Sequence, residues 1–581
     1  MIERYGIKNI RSSFLEVLPI QILSLITSSL SSIVNGLVIG NYLSDLDMIA
    51  LGYVSPITKI ITVFSVIVST GSRIISGMYI GRGDKKKQAE TFTCAINLLL
   101  QFGALLTVIF YVFSDQIASI LANEEAIIKT SEYIKGLSLG IIPTLMVPCL
   151  MSFLQQQNHG TYALISTLFL AISNYVIAIF SMNYLHISIF GVGVCTSIAQ
   201  ALTLIFIIIK FIIEKNRDYI FKVDSKNIYK DIVLVGFPSA LSQLLYAVRN
   251  SLLNTIAYNA GGNTAVNALS IMYASTGPLD ALNTGVSHSY LMLSSVYVGE
   301  KDKKALKTLF QISSFYGLAI AFAKIIGIRL FAGNIADIYG ASGEVRQLTI
   351  TLYNLFILSC TTNIIRNNIL NSRQSFGKIN YCNIMIIITA LIAPVGYSYF
   401  ASKIWGLNSI WWSHTVADVT CMISMYIYSS IEYKHPVKSI SELLIPKGEL
   451  EIEDPLTHSI KTIDEAINIS QTVEQYCVTR GIDKTRSMYA GLCTEEATIN
   501  IIEHGFPKTK KKNKVIDVFV YIENNDVNIR IKDNAIAFDP HIKIDNSNDP
   551  ASNIGIRIVS KIAKRMDYQN NFNLNQLIIK L

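Results

Sequence analysis

Long apolar runs separated by short polar stretches dominate the chain as far as Tyr433. Leu18 to Gly40, Thr91 to Phe113 and Ile379 to Phe400 are each long enough to cross a hydrocarbon core as a helix, which takes ~20 predominantly apolar residues. Read this way, the pattern predicts about twelve spans, near residues 14–40, 48–80, 89–113, 127–153, 159–182, 188–214, 231–258, 266–298, 305–330, 345–371, 378–402 and 406–432. From Lys434 onward the period changes. Apolar residues alternate in Ile516 to Ile522 and again in Val527 to Lys532, predicting two antiparallel strands joined by a turn at Glu523–Asp526. Thr485 to Glu503 reads as a helix before them, and Gly555 opens another after them.

Charge orients the apolar part. The loops after the second, sixth and eighth spans carry Arg82 with Lys85, Lys86 and Lys87, then Lys215, Arg217, Lys222 and Lys226, then Lys301, Lys303 and Lys304. The loops after the first and third carry Asp45, Asp47, Asp115, Glu124 and Glu125 instead. The positive-inside bias then places both termini in the cytoplasm of a multi-pass cell-membrane protein. Charged residues are 15% of the chain against 51% hydrophobic, and the net charge of +8 is dispersed over these loops, which points to membrane topology and away from nucleic-acid binding. The basic segment Lys508 to Lys514 reads as a solvated loop near anionic head groups. The first apolar run is too long for a signal-peptide core and no small-residue cleavage site follows it. Eight cysteines without a C-x-x-C pair suggest buried packing residues, neither a disulfide framework nor a zinc site.

The apolar part repeats. Pro19 and Pro238 open the first and seventh spans, with Asn35 and Asn254 at the same interval behind them, and Gly81-Arg-Gly-Asp84-Lys85-Lys86 is echoed by Gly299-Glu-Lys-Asp302-Lys303-Lys304. Six spans return the chain to its starting side, so the repeat is parallel, about an axis along the membrane normal. These features, with Asn174 in Ile172-Ser-Asn174-Tyr, Pro56-Ile and Gly191-Val-Gly193-Val, resemble the multidrug and toxic compound extrusion (MATE) family over about residues 10–435. The resemblance implies two helical bundles around a central cleft and an antiporter that exports drugs, organic cations or similar amphiphiles in exchange for protons or sodium.

Ionisable residues inside a bilayer cost roughly 2.5–3.5 kcal/mol each and need a reason. Arg73, Arg249, Asp280, His288, Arg366, His414 and Asp418 are candidates for the cleft, whereas Lys59, Lys324 and Arg329 read as internal pairs or residues near helix ends. Asp280 and His288 lie about two turns apart on one face. The expected transport cleft therefore contains Asn35, Asn174, Asn254, Asp280 and His288. Relatives commonly carry an aspartate where this chain has Asn35, and an acidic residue where it has Ala178. A neutral amide cannot titrate.

In the last part, Glu496-Ala-x-x-Asn500-x-x-x-His504-Gly505-Phe506, then Asp533 with Phe538-Asp539-Pro540, then Gly555-Ile-x-Ile-Val559, resemble the ATP-binding fold of the gyrase, chaperone and histidine-kinase (GHKL, or Bergerat) superfamily, and most closely the anti-sigma-factor serine kinases. The resemblance implies ATP and Mg2+ as cofactors. Asn500 would be the magnesium ligand, Glu496 the catalytic base, Asp533 the acceptor for the adenine amino group, and Phe538, Asp539 and Gly555 parts of the nucleotide site. Ala535, Ala537 and Ser552-Asn553 stand where the resembled boxes often have glycine.

The expected organisation is thus a polytopic α-helical membrane protein of two six-helix halves, 1–214 and 231–433, around a linker at 215–230, with a second linker at 434–448 and an α/β sandwich domain at 449–581. Two functions fit. One is a secondary exporter of amphiphilic or cationic small molecules regulated by nucleotide. The other is a membrane-anchored serine kinase of the anti-sigma type, whose membrane part senses a ligand and whose partner is an anti-sigma-factor-antagonist-like protein. An ATP-driven pump is disfavoured by the lack of a Walker A loop.

Overall fold

The structure is a computed structural model that describes residues 6–213, 227–356, 359–452, 454–509, 511, 514–540 and 554–581. The first half consists of α1 (Ile7–Tyr42), α2 (Asp45–Arg82), α3 (Lys85–Val112), α4 (Ile127–Ser138), α5 (Ile141–Gln156), α6 (Gly160–Phe180) and α7 (Ile189–Ile213). The second half consists of α8 (Asn227–Gly299), α9 (Lys303–Ile338), α10 (Gly343–Phe356), α11 (Ser359–Ser375), α12 (Ile379–Ile387), α13 (Ala393–Trp405) and α14 (Ser413–Tyr433).

The repeated polar motif has a local structural role in both halves. Asp84 caps α3 by accepting from the Lys87 backbone N–H, and Asp302 caps α9 by accepting from that of Ala305. Just before each cap the chain turns through the left-handed region, at Gly83 (φ 71°) in one half and Lys301 (φ 59°) in the other.

Eight helices among the described residues are long and apolar enough to cross a membrane, or up to ten if each bent pair is one span, against the twelve expected. The bent pairs are the fourth span, with 47° between its two pieces, and the tenth, with 45°. The seventh and eighth spans are one long helix, α8, interrupted at Gly262 (φ 63°). The later part of α8 and α14 fall short of the hydropathy expected of a span because they carry Asp280, Asn283 and His288, and His414 and Asp418, all of which line the internal cavity described below.

Two apolar cores divide only roughly by half, since Ile10, Phe14, Val17 and Leu18 of α1 belong to the core of the second half, and Ile228, Ile232, Val235 and Leu291 of α8 to that of the first. The halves therefore meet along α1 as well as where α2 packs along α8. Near the C-terminal ends of these helices the approach is backbone to backbone. A Cβ on Gly81 would stand 2.1 Å from the Val296 carbonyl oxygen, and one on Gly299 2.1 Å from that of Met78. Only glycine permits this.

The last part is a five-stranded antiparallel sheet of order β1-β2-β3-β5-β4, built from β1 (Leu456–Ile460), β2 (Ile516–Glu523), β3 (Asp526–Asp533), β4 (Arg565–Asn571) and β5 (Leu574–Lys580). α15 (Ile463–Thr479), α16 (Lys484–Asn500) and α17 (Ile554–Ile562) accompany it. The β2–β3 turn falls on Asn524 and Asn525, both at positive φ, as a two-residue hairpin requires. Val518, Val520, Ile529, Ile531 and Ile579 point to one face and share a core with the helices. The opposite face, with Asp517, Phe519, Arg530, Lys532 and Gln569, is buried as well. It lies against the end of the helical bundle at which α2 and α8 terminate.

Candidate functional site

A cavity of about 1070 Å³ lies between the two halves. Its α2 wall runs from Leu51 to Arg73, passing through exposed Ser55, Thr58 and Thr62. α2 is packed against α8 from Ile67 and Gly71 onward, and no α2 residue beyond Arg73 lines the cavity, which closes toward the sheet domain and opens away from it. Asp280 and His288 both line it, as their spacing on one helix face predicts. So do Arg73, Arg249, Arg366, His414 and Asp418.

The three asparagines separate. Asn35 lines the cavity and donates to Thr196 Oγ1 at 3.2 Å. Asn174 is not a lining residue: it sits buried behind Asn35, donating to its Oδ1 at 3.5 Å. Asn254 is not a lining residue either, contrary to expectation; one turn earlier on α8, Arg249 and Asn250 face the cavity in its stead. The interval from the proline was preserved, but the face that α8 turns to the cavity was not legible from it. Among the described lining residues the only carboxylates are Asp280 and Asp418, both in the second half. Asp280 is ion-paired with Lys324, whose side chain is fully buried, and Asp418 with Arg366 at 2.8 Å.

In the sheet domain a second, smaller pocket is lined by Glu496, Asn500, His504, Lys508, Asp533 and Phe538 among others. α16 ends at Asn500 and a π turn, Ile501–Gly505, carries the chain on. Asn500 Nδ2 donates to Glu496 Oε1 at 2.7 Å, which fixes its amide so that Oδ1 is the atom left to meet a cation. The carboxylate of Glu496 lies against Gly555 at the start of α17: a Cβ there would stand 1.6 Å from Glu496 Oε1, so alanine does not fit. Asp533 is buried at the end of β3. Its Oδ1 accepts from the Ala535 N–H at 2.8 Å and from Asn575 Nδ2 at 2.7 Å, leaving Oδ2 without a donor among the described residues. Burial pushes its carboxyl up to about 6. Asp539 does not line this pocket, and the Ser552-Asn553 departure lies outside the described residues. A buried acceptor, a carboxylate held by its neighbouring amide and a glycine at a helix start are a donor and acceptor set that fits a nucleotide with its magnesium ion. The sequence motifs did not reveal Tyr568 and Asn575, which support the Asp533 and Phe538 end of the pocket.

The third feature is the seam. Arg530 on β3 donates from Nη1 to the Glu300 carbonyl at 2.6 Å and from Nη2 to the Gly81 carbonyl at 3.1 Å. One guanidinium thus caps the C-terminal ends of helices from both halves, where a cation is favoured by the helix dipole. Lys532 Nζ meets the fully buried Glu300 carboxylate at 2.5 Å. Gln569 donates to the Ile80 carbonyl, Arg565 to that of Gly83 at 3.3 Å, and Asn9 on α1 to Asp517 at 2.7 Å.

The family described as MatE matches residues 19–180 and 238–399, and the family described as histidine kinase-like ATPase domain matches residues 462–581. The chain is similar to the multidrug export protein MepA of Staphylococcus haemolyticus, with 25% identity over 73% of this chain and 94% of the relative. The uncharacterized transporter YisQ of Bacillus subtilis is 20% identical over 66% of this chain and 86% of its own. Among solved structures, an outward-facing multidrug resistance MATE transporter superposes with a TM-score of 0.68 at 19% identity, covering 73% of this chain and 96% of its own. A MOP superfamily transporter from Pyrococcus furiosus, described by a binding pocket of reverse polarity, superposes at 0.67 with 19% identity over the same shares. Neither the families nor these relatives speak for an anti-sigma-factor-antagonist-like partner.

Proposed function

The chain belongs to the MatE family, as a multi-pass membrane transporter fused to a GHKL-like ATPase domain, and from that premise we propose that it exports amphiphilic small molecules under the control of nucleotide binding to its own C-terminal domain. The observation that carries this reading is Arg530, which holds Gly81 of the first half and Glu300 of the second at once. Alternating access requires the two halves to separate at the end where α2 and α8 now touch through glycines. A domain bonded to both halves opposes that separation.

The same strand joins the clasp to the pocket. Arg530 and Lys532 lie three residues and one residue before Asp533, and Asn575, which holds Asp533, is its register partner on β5. ATP would be held by Asp533 at its base and, through magnesium, by Asn500, with Glu496 placed as base toward water or a hydroxyl. Backbone N–H groups at the start of α17 would face the phosphate chain that ATP supplies when bound. Any shift of β3 on loading is transmitted to the seam, and coupling follows if the pocket has unequal affinity in the clasped and released states. Both termini and the ATPase domain lie on the cytoplasmic side in this reading, as the basic loops predict. Support for small-molecule export comes from the MepA relatives and from the cavity's size, while coupling to an ion gradient would have to use residues other than Asn35.

The test is dye efflux from vesicles reconstituted with the full chain, with magnesium and ATP supplied to the domain side. The expected result is an efflux rate that changes at least about twofold with ATP and becomes insensitive to it in Asn500→Ala, a coupling of the usual allosteric size. Equal rates with and without ATP, in protein that binds it, would leave the domain a passenger.

A further inference from the structure

The charge of the cavity names a substrate class that neither the sequence nor the relatives assign, an inference that rests on reading the cavity as the transport cleft. Around it stand four cationic side chains, Arg73, Arg249, Arg366 and, behind Asp280, Lys324, against two carboxylates, Asp280 and Asp418. Both carboxylates are already engaged, by Lys324 and Arg366. The remaining two cations make no ion pair among the described residues, although Asp418, engaged by Arg366, is also within electrostatic reach of Arg249.

Arg73 is the sharper case. It lies at the closed end of the cavity, 6% exposed, its Nε has no hydrogen-bond partner, and its guanidinium makes no ion pair among the described residues. A buried guanidinium left without a counter-charge is costly in any protein, and more so at membrane depth. Arg249, half-buried on the opposite half, stacks over Tyr246 at 4.7 Å and shares Asn250 Oδ1 at 3.3 Å. The two cations without an ion pair come one from each half and line the same space, so each half offers one to a ligand between them.

We propose that the cleft takes an organic anion, an amphiphile bearing a carboxylate, sulfonate or phosphate group that pairs with Arg73 and Arg249 while its apolar body lies against the leucine and isoleucine walls. An organic cation entering the same cleft meets a net excess of two positive charges, with no free carboxylate among the described lining residues to receive it. Guanidinium groups suit such anions because they offer planar paired donors. The neutral Asn35 and Ala178 positions fit the same logic, since an acidic pair there would cancel the excess.

The experiment compares two dyes of one skeleton and opposite charge, anionic fluorescein and cationic tetramethylrhodamine methyl ester, binding to the full chain in lipid nanodiscs by fluorescence anisotropy. Fluorescein is expected to bind about tenfold more tightly or better, as two uncompensated charges in a partly desolvated site imply. Arg73→Gln and, separately, Arg249→Gln should each lower fluorescein affinity at least about fivefold, whereas Arg73→Lys, which keeps the charge, should recover part of it. Arg249 is half-buried, so its variant serves should Arg73→Gln fail to fold. Preference for the rhodamine ester, or fluorescein binding unchanged in both glutamine variants, overturns the anion assignment and leaves the transport reading standing. A folded chain that binds neither dye overturns both.

Discussion

Replacing Lys532 by Ala is expected to weaken the docking of the ATPase domain by about 3–5 kcal/mol, the size seen when one partner of a buried pair is removed. Glu300 is fully buried at the end of α8, and Lys532 Nζ at 2.5 Å is its one ion-pair partner among the described residues. Its other oxygen, Oε1, already lacks a hydrogen bond. Without the ammonium the carboxylate is left uncompensated, and undocking becomes the cheapest way to hydrate it. Lys532 also stands over the Tyr297 ring at 4.7 Å, and alanine cannot replace that cation–π attraction. The readout is limited tryptic cleavage after Lys301, in the turn whose Glu300 and Asp302 are buried under the docked domain, since cleavage there tracks the population of the undocked state when redocking is fast. The double variant Lys532→Met with Glu300→Gln removes both charges and should restore much of the protection. Cleavage of Lys532→Ala at the wild-type rate would show that this pair does not hold the domain.

Nucleotide binding should weaken as the pH falls through about 6, by close to tenfold for each further unit. Burial raises the Asp533 carboxyl from 3.8 to about 6, and the base of a nucleotide needs the ionised form as acceptor. The sign for the folded domain is opposite. A carboxyl with a raised folded-state value contributes stability that is fully present below its unfolded value and is lost as the pH rises toward 6. Between about 6 and 3.8 this group therefore makes the empty domain more stable while it makes binding weaker, so lost affinity in that window is not unfolding. Titration calorimetry of the full chain across this range checks it. Asp533→Asn, which cannot ionise and replaces an acceptor oxygen or presents a donor, should bind poorly at every pH. A wild-type affinity that is flat from neutral to acid pH would remove Asp533 from the base site.

Much of the fold could be read from periodicity. The strands, the Asn524–Asn525 turn, the helix ahead of Asn500 and the repeat of Gly81 in Gly299 follow from alternation, turn chemistry and spacing. Two things could not. Spans that line the cavity are poor in apolar residues, so the part of α8 beyond Gly277 and α14 fall below the hydropathy of a span although they complete the second half. The outer face of the sheet, with Asp517, Arg530 and Lys532, reads as a solvated face by period alone. Its burial depends on partners more than two hundred residues away, Gly81 and Glu300, and no local pattern reports such a partner. Asn254 fails for the converse reason: an internal repeat fixes spacing along a helix but not its rotation about its axis. The pairing of Lys324 with Asp280 fits the expectation of an internal pair for the lysine and at the same time removes Asp280 as a free carboxylate in the cleft.

If the sheet domain is a clasp, loading its pocket changes how the two halves sit at the end where α2 and α8 meet. Lys86, in the first turn of α3, and Lys307, at the start of the second turn of α9, are both exposed and flank that contact from opposite halves. Cysteines placed at these two positions and spin-labelled, in full-length protein whose own cysteines are all buried, report their separation by pulsed electron resonance. With saturating magnesium and ATP the distance distribution is expected to shift between a short, clasped population and a longer, released one, and Asn500→Ala is expected to abolish the shift. Superimposable distributions with and without ATP, in a chain shown to bind it, would contradict the clasp.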